Sequence, residues 1–251
     1  MKLILIGAGG KMGRTLINCI YGNEQFEISC GIDKFAKQKE FTFPLYKNCG
    51  EIPADIDADC IIDFSVREAI YDYLPYAVQK NIPCVIATTG YDEEQQKFIS
   101  DAADKIAIFK TGNMSLGINL ILRLSKIAAR TLGQNADVEI VETHHNQKVD
   151  APSGTALLLA NGIKDSLNHD AEFVYGRSGQ VGKRGKEIGI HAVRGGTVVG
   201  KHEVSFFLNN EVITIKHEAE NKSVFANGAL EAAQYIVGKP NGLYDMNDLL
   251  S

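Results

Sequence analysis

Several things are scarce in this sequence, and each shortage removes a class of function. No apolar run among the 251 residues approaches the ~18 that a membrane-spanning helix needs, so no membrane partner is expected. Positive charge is not in excess: 26 Lys and Arg against 31 Asp and Glu leave a net charge of −5. The whole-surface basic footprint of a nucleic-acid binder is therefore absent. Cysteine is confined to the first third, as Cys19, Cys30, Cys49, Cys60 and Cys84. The number is odd and no two form a C-x-x-C pair. These thiols read as reduced and mostly buried in a cytosolic protein, without a disulfide framework or a structural zinc, and no metal is expected. No thiol lies downstream of Cys84 to act as a nucleophile. The opening Met1–Gly7 stretch is too short for a signal peptide, so a cytoplasmic location is expected. There is no internal repeat and no Gly/Ser/Pro linker, which points to two intimately joined domains. The balance of 45% hydrophobic and 23% charged residues is ordinary for a globular chain and excludes wholesale disorder.

What is present alternates. Lys2–Gly7, Phe26–Ile32, Asp59–Phe64, Pro83–Ala87 and Ile106–Phe109 are short runs rich in Ile, Val, Leu or Phe. They lack polar alternation, as strands buried on both faces do. Helix-like segments near Met12–Tyr21, Arg67–Gln79 and Asp92–Ala103 separate them. Strand–helix–strand repetition predicts an α/β, Rossmann-type, doubly wound parallel sheet. Near residue 115 the pattern changes. A helix is predicted over Leu116–Leu132 with Gly133 as its stop, a strand over Val138–Val141, and a helix over Ala156–Leu167. Residues 176–200 hold eight glycines and read as a long loop interrupted by a strand at Ile188–Val193. Its cations Arg177, Lys183, Arg184 and Lys186 read as solvated. Val204–Leu208 and Val212–Lys216 flank Asn209-Asn210, a hairpin signal, and Val224–Val237 reads as a last helix ended by Gly238 and Pro240.

The glycine-rich turn Gly7-Ala8-Gly9-Gly10-Lys11-Met12-Gly13 follows a strand and opens a helix. Glycines there permit close backbone approach to a pyrophosphate, and the helix amino terminus favours negative charge. The spacing is not a strict G-x-G-x-x-G, but its context is that of a dinucleotide site. Asp33 ends the second strand, where a carboxylate accepts hydrogen bonds from the adenosine ribose of NAD; Lys34 beside it can face the 2′-phosphate of NADP. Lys11 and Arg14 stand where they can screen phosphate charge, although a solvated Arg14 is an equal reading. Two further loops fall at strand carboxyl ends, Ala87-Thr88-Thr89-Gly90 and Thr111-Gly112-Asn113-Met114, and suit ribose and carboxamide contacts.

The densest chemistry lies in Glu142-Thr143-His144-His145-Asn146-Gln147-Lys148-Val149-Asp150-Ala151-Pro152-Ser153-Gly154-Thr155. Adjacent strand residues point to opposite faces, so His144 and His145 diverge and do not share a metal. One suits general acid chemistry near neutral pH and the other substrate binding. Lys148 adds a cation, and the helix start at Ser153, Gly154 and Thr155 offers amides to a carboxylate. A small polyanion, with two carboxylates, is the expected ligand. His169, His191, His202 and His217 stand singly and read as structural.

These strings, together with Gly112-Asn113-Met114-Ser115, Phe225-Ala226-Asn227-Gly228-Ala229 and Gly242-Leu243-Tyr244-Asp245-Met246, resemble the 4-hydroxy-tetrahydrodipicolinate (dihydrodipicolinate) reductase family over nearly the whole chain. The resemblance implies NADH- or NADPH-dependent reduction of a cyclic imine dicarboxylate in lysine and diaminopimelate biosynthesis. It implies His144 as proton donor/acceptor and Lys148 as second proton donor, with His145, Gly154 and Thr155 on the substrate. It puts Gly7 to Met12, Asp33, Ala87 to Thr89 and Thr111 to Met114 on the dinucleotide, with Lys34 serving NADP. It further implies a homotetramer, a smaller α+β domain with a mixed sheet, and a C-terminal helix that returns to the first domain. The expected division is residues 1–113 with 223–251 for the dinucleotide, and 114–222 for substrate and oligomerisation. Ala87, Met114 and Asn146-Gln147 depart from common family residues and bear on cofactor preference and affinity. Two alternatives are weighed: another two-domain dehydrogenase, acting on aspartate semialdehyde or homoserine, and a dinucleotide-sensing protein without catalysis. The first semialdehyde chemistry needs a late nucleophilic cysteine, and a sensor has no use for His144 or Lys148.

Overall fold

The five non-alternating apolar runs all become parallel strands. The structure is a computed structural model and describes residues 1–133 and 135–251. Along the chain it forms β1 (Lys2–Ile6), α1 (Lys11–Tyr21), β2 (Glu27–Ile32), β3 (Leu45–Tyr46), β4 (Cys60–Asp63), α2 (Ile70–Lys80), β5 (Cys84–Ile86), α3 (Glu93–Ala103) and β6 (Ala107–Lys110). Then follow α4 (Leu116–Leu132), β7 (Asp137–His144), α5 (Gly154–Lys164), β8 (Phe173–Tyr175), β9 (Ile188–Arg194), β10 (Gly200–Leu208) and β11 (Glu211–Ala219). The last elements are α6 (Ser223–Ile236), β12 (Gly242–Tyr244) and α7 (Met246–Leu249). Packing divides the chain into Met1–Ser115 with Lys222–Ser251, and Leu116–Asn221.

In the first unit seven strands pair in the order β12-β6-β5-β4-β1-β2-β3, all parallel. The chain starts in the middle and winds outward both ways, so β1 and β4 are neighbours although two strands separate them in sequence. Ligands collect at the carboxyl ends of such a switch point. Ile4, Ile6, Ile61, Cys84, Ile86 and Ile108 pack on Ile70, Tyr73, Leu74 and Ala77 of α2 and on Ile99, Ala102 and Ala103 of α3. The alternate residues Leu3, Leu5, Ile62, Val85 and Phe109 are equally buried and face the other side. There α6 packs beside α1 and over β4, β5 and β6.

The second unit holds a five-stranded mixed sheet in the order β11-β10-β7-β9-β8. β10 runs antiparallel to β7 and β11, while β9 runs parallel to β7 and β8. Val138, Ile140, Ile188, Ile190, Val204 and Phe206 pack against Ile118, Ile121 and Ala129 of α4 and Ala156, Leu159, Ala160 and Ile163 of α5.

The structure lengthens the strand expected at Val138–Val141 to Asp137–His144. Its buried phase runs Val138, Ile140, Glu142, His144. Apolar patterning stops at Val141 because the last two inward residues are polar. The two- and three-residue strands β3, β8 and β12 carry too little pattern to be read from sequence. Lys183 and Lys186 are exposed as expected, but the reading of Arg184 and Arg177 is corrected. Arg184 donates to Glu139 and Asp137, each at 3.0 Å, and to the carbonyls of Val138 and Glu187, and Arg177 pairs with Glu187. Arg184 thus staples the loop to β7 instead of standing in solvent.

Candidate active site

In the first unit the candidate site grows from the glycine turn. Gly7 has φ +78°, and a Cβ on it would lie 2.6 Å from the Phe64 carbonyl oxygen. A Cβ on Gly13 would collide with the carbonyl of Gly7. Only glycine lets α1 start this close to β1 and the end of β4. Gly7 and Ala8 donate to the Ile32 carbonyl at 2.9 and 3.4 Å, and Gly10 to Gly7 at 3.0 Å. Gly10 supplies no side-chain cap, and no acidic residue lies in the first turn of α1. That leaves an amino terminus suited to an anion.

Asp33 is more committed than its sequence position suggests. Its Oδ2 accepts Gly9 N–H at 2.9 Å, and its Oδ1 accepts Phe35 and Ala36 N–H at 2.9 and 3.0 Å. The carboxylate therefore ties the glycine turn to the loop after β2, with lone-pair capacity left for a ribose hydroxyl. Lys34 lines a cavity of about 280 Å³ with Gly7, Gly10, Ile32, Asp33, Phe35 and Lys47. A cleft of about 600 Å³ adjoins it, sharing Phe64, Ser65, Val66 and Glu68, and is walled by Met12 and Ala87–Gly90. The two cavities form one groove over the carboxyl ends of β2, β1, β4 and β5. Thr111–Met114 follows β6, one strand further out. There Thr111 Oγ1 caps Asn113 N–H at 3.4 Å, Asn113 Oδ1 accepts Ser115 N–H at 2.9 Å, and Met114 is buried. Arg14 pairs with Glu40 and donates to the Gly9 carbonyl at 3.0 Å. It braces the turn.

In the second unit a separate cluster centres on Glu142, which is fully buried. Its Oε2 lies 2.5 Å from His144 Nδ1 and accepts Arg194 Nη1 at 2.9 Å. Its Oε1 accepts Arg194 Nη2 at 2.8 Å and Ser153 N–H at 3.0 Å. Glu142 and His144 share one strand face, two residues apart. Register places Arg194 opposite His144 on β9 and His202 opposite Glu142 on β10. Burial alone would raise the Glu142 carboxyl, but hydrogen bonds from Arg194, His144 and Ser153 outweigh it and hold it below the usual range. The carboxylate fixes the Nδ1–H tautomer of His144 and leaves Nε2 for chemistry.

His202, read from sequence as an isolated structural histidine, is corrected. Its ring meets His144 edge to face, centroids 5.1 Å apart, and its Nε2 lies 3.2 Å from Ser153 Oγ. Burial, reinforced by the neighbouring His144, pushes it down to about 4 from an ordinary 6.5. The unfolded chain then binds more protons between those values. Stability from neutral His202 is complete above pH 6.5 and is lost as pH falls through 4. Urea titrations at pH 7.5 and 5 should show His202 contributing a loss of about 2 kcal/mol, and a His202→Phe variant should lack that component.

His145 lies past the end of β7, so the divergence expected from strand alternation becomes a turn. The turn closes with Lys148 N–H donating to the His145 carbonyl at 3.2 Å. His145 Nδ1 is buried without a hydrogen-bond partner among the described residues. Lys148 Nζ pairs with Asp150 at 2.8 Å, which holds the Asp150 carboxyl below its usual range. Ser153 caps α5 by accepting Ala156 N–H at 3.1 Å and is 2% exposed. Its hydroxyl is therefore a cap and a partner of His202, not an open ligand. Gly154 and Thr155 form the first turn of α5. Sequence reasoning missed Glu142, Arg194, His202 and Asp150. The i, i+2 spacing of Glu142 and His144 was a usable signal, whereas Arg194 and His202 arrive by strand register alone.

Models of the dihydrodipicolinate reductase N-terminus and C-terminus match residues 1–114 and 117–250. The chain belongs to the dihydrodipicolinate reductase family. It is 47% identical over 249 residues to the 4-hydroxy-tetrahydrodipicolinate reductase of Clostridium novyi, covering 99% of this chain and 98% of that one. It is also 47% identical over 251 residues to the reductase of the same name from Caldanaerobacter subterraneus, covering 100% and 98%. Among solved structures, the dipicolinate-bound dihydrodipicolinate reductase from Paenisporosarcina sp. shares the fold, with a TM-score of 0.83, 24% identity and 98% of each chain covered. The N-terminal half is thus a dinucleotide-binding fold.

Proposed function

We propose that this chain reduces 4-hydroxy-tetrahydrodipicolinate to tetrahydrodipicolinate with NADH or NADPH, in lysine and diaminopimelate biosynthesis. The observation that carries the reading is the buried Glu142–His144 pair beside the amino terminus of α5, in a chain that matches reductases of that name from end to end. The glycine turn fits a dinucleotide: an uncapped, acid-free helix start faces a groove with Asp33 and Lys34 at one end and Ala87, Thr88 and Thr89 at the other. Gly7, Ala8, Gly9, Gly10, Lys11 and Met12 would hold the pyrophosphate, and Thr111–Met114 the far edge. When bound, the cofactor supplies the hydride. Positioning it is the task of this unit.

The second unit handles the dicarboxylate and the proton. Amides of Gly154 and Thr155, the Lys148 ammonium and His145 bind the two carboxylates. The cations also favour electron flow into the ring. His144, protonated at Nε2 and held at Nδ1 by Glu142, donates the proton that quenches charge developing in the substrate. Lys148 stands as second donor. A homotetramer fits the sheet face that α4 and α5 leave uncovered, where Val141, Val193, Phe207 and Val212 are 38–53% exposed. Light scattering checks that assembly. Cytoplasmic residence fits a biosynthetic enzyme whose described helices include none able to cross a membrane.

The deciding assay is steady-state turnover with each cofactor on freshly generated substrate. No turnover with either would overturn the reading. Asp33→Ala should weaken NADH more than NADPH in the same assay. Both lose the bracing of Gly9, but only the cofactor with a free 2′-hydroxyl loses an acceptor as well. An equal loss would remove Asp33 from the ribose.

A further inference from the structure

Asp63, the last residue of β4, is fully buried among apolar strand residues. Ser65, Tyr73 and Tyr91, which donate hydrogen bonds to it, are all neutral. Its Oδ1 accepts the Ser65 backbone N–H at 2.9 Å and the Ser65 hydroxyl, and its Oδ2 accepts the Tyr73 and Tyr91 hydroxyls at 3.2 and 3.4 Å. The same Ser65 N–H reaches Thr88 Oγ1 at 3.0 Å. Burial pushes the Asp63 carboxyl up, against hydrogen bonds from Ser65, Thr88 and Tyr73 that pull it down. Withdrawing an acid from water without a cation is costly, and an aliphatic residue would fill the position at less cost.

The network joins elements that the sheet alone does not join: the loop after β4 through Ser65, the loop after β5 through Thr88 and Tyr91, and α2 through Tyr73. Ser65 and Thr88 both wall the 600 Å³ cleft. In this fold the adenosine lies toward β2 and the pyrophosphate over α1, so that cleft takes the nicotinamide half. We infer that Asp63 is a positioning residue: by holding Ser65 and Thr88 it sets the β5 loop against the nicotinamide ribose and ring. The inference rests on the dinucleotide reading of the groove. Asp63 itself touches no ligand.

The test is calorimetric, on the full-length wild type, Asp63→Asn and Tyr91→Phe, with NADPH, NADH and the adenosine-half fragment 2′,5′-ADP as titrants. Asp63→Asn should raise the dinucleotide Kd by about tenfold or more, the scale of a lost hydrogen bond to a buried group. Tyr91→Phe should raise it by a smaller factor. Both should leave the 2′,5′-ADP Kd within about twofold, a span well under 1 kcal/mol. A purely structural role would weaken fragment and dinucleotide by the same factor, and that result overturns the inference. So does dinucleotide binding that neither variant changes. If Asp63→Asn does not fold, Tyr91→Phe decides alone, because it removes one hydroxyl and leaves the carboxyl in place. A wild type that binds no dinucleotide overturns the cofactor reading and this assignment with it. A wild type that binds, with variants that match it, overturns the assignment alone.

Discussion

His144→Gln is expected to lower turnover by ~10²–10⁴, the scale of lost general acid catalysis, while dinucleotide affinity stays near wild type. A buried carboxylate fixes the orientation of this imidazole: Nδ1 lies 2.5 Å from Glu142. A glutamine side chain can occupy the space and hydrogen-bond to Glu142, but it cannot deliver a proton. The glycine turn lies in the other unit and shares no hydrogen bond with His144 among the described residues, so cofactor binding should be spared. Turnover measured with both cofactors, beside a fluorescence titration of the dinucleotide, separates the two effects. Unchanged turnover removes His144 from the mechanism. Lost cofactor binding would mean that the substitution acts through the fold.

Glu142 should give the largest stability effect. Glu142→Ala strips the acceptor from Arg194, His144 Nδ1 and Ser153 N–H at once. Breaking a buried pair by removing one partner leaves the other charge uncompensated, a loss of ~3–5 kcal/mol in urea unfolding. Glu142→Gln keeps one oxygen and the shape, so it should cost less stability. It should still cut turnover by ~10² or more, because the acceptor that fixes the tautomer and orientation of the ring is lost. The comparison separates the roles. If Glu142→Gln turns over normally, Glu142 is a structural clamp for Arg194 and does not orient His144 for catalysis. The sign of its pH linkage follows from its lowered carboxyl: the contribution is complete above the ordinary value of 4.5 and is lost as pH falls below it.

Much of the fold was legible because its signals are local. Runs buried on both faces are apolar at every position, and that alone picked out β1, β2, β4, β5 and β6. The helix over Leu116–Leu132 was read to the residue, since its apolar face repeats with the helical period and ends at a glycine of φ +55°. The Asn209-Asn210 hairpin follows from Asn210 at φ +68°. β7 was cut short for the opposite reason. Its inward residues change from Ile140 to Glu142 and His144, and a polar residue on a buried face carries no apolar signature. The strand therefore became invisible where it becomes chemical.

By itself the sequence determined which chemistry the chain carries: a glycine turn that permits close approach, an acid and a lysine at the end of the second strand, and a histidine, lysine and helix-start string on one contiguous segment. Contiguity puts those groups together whatever the rest of the chain does. Tertiary structure alone decided their partners. Arg194 and His202 stand 50 and 58 residues beyond His144 in number, and only the register of β9 and β10 on β7 brings them to Glu142. It likewise brought the Gly9 amide to Asp33 and the His202 ring to Ser153, and tied Asp63 to Tyr73 and Tyr91. Pairing between strands distant in sequence is a property of the whole sheet, and no local stretch of residues encodes it.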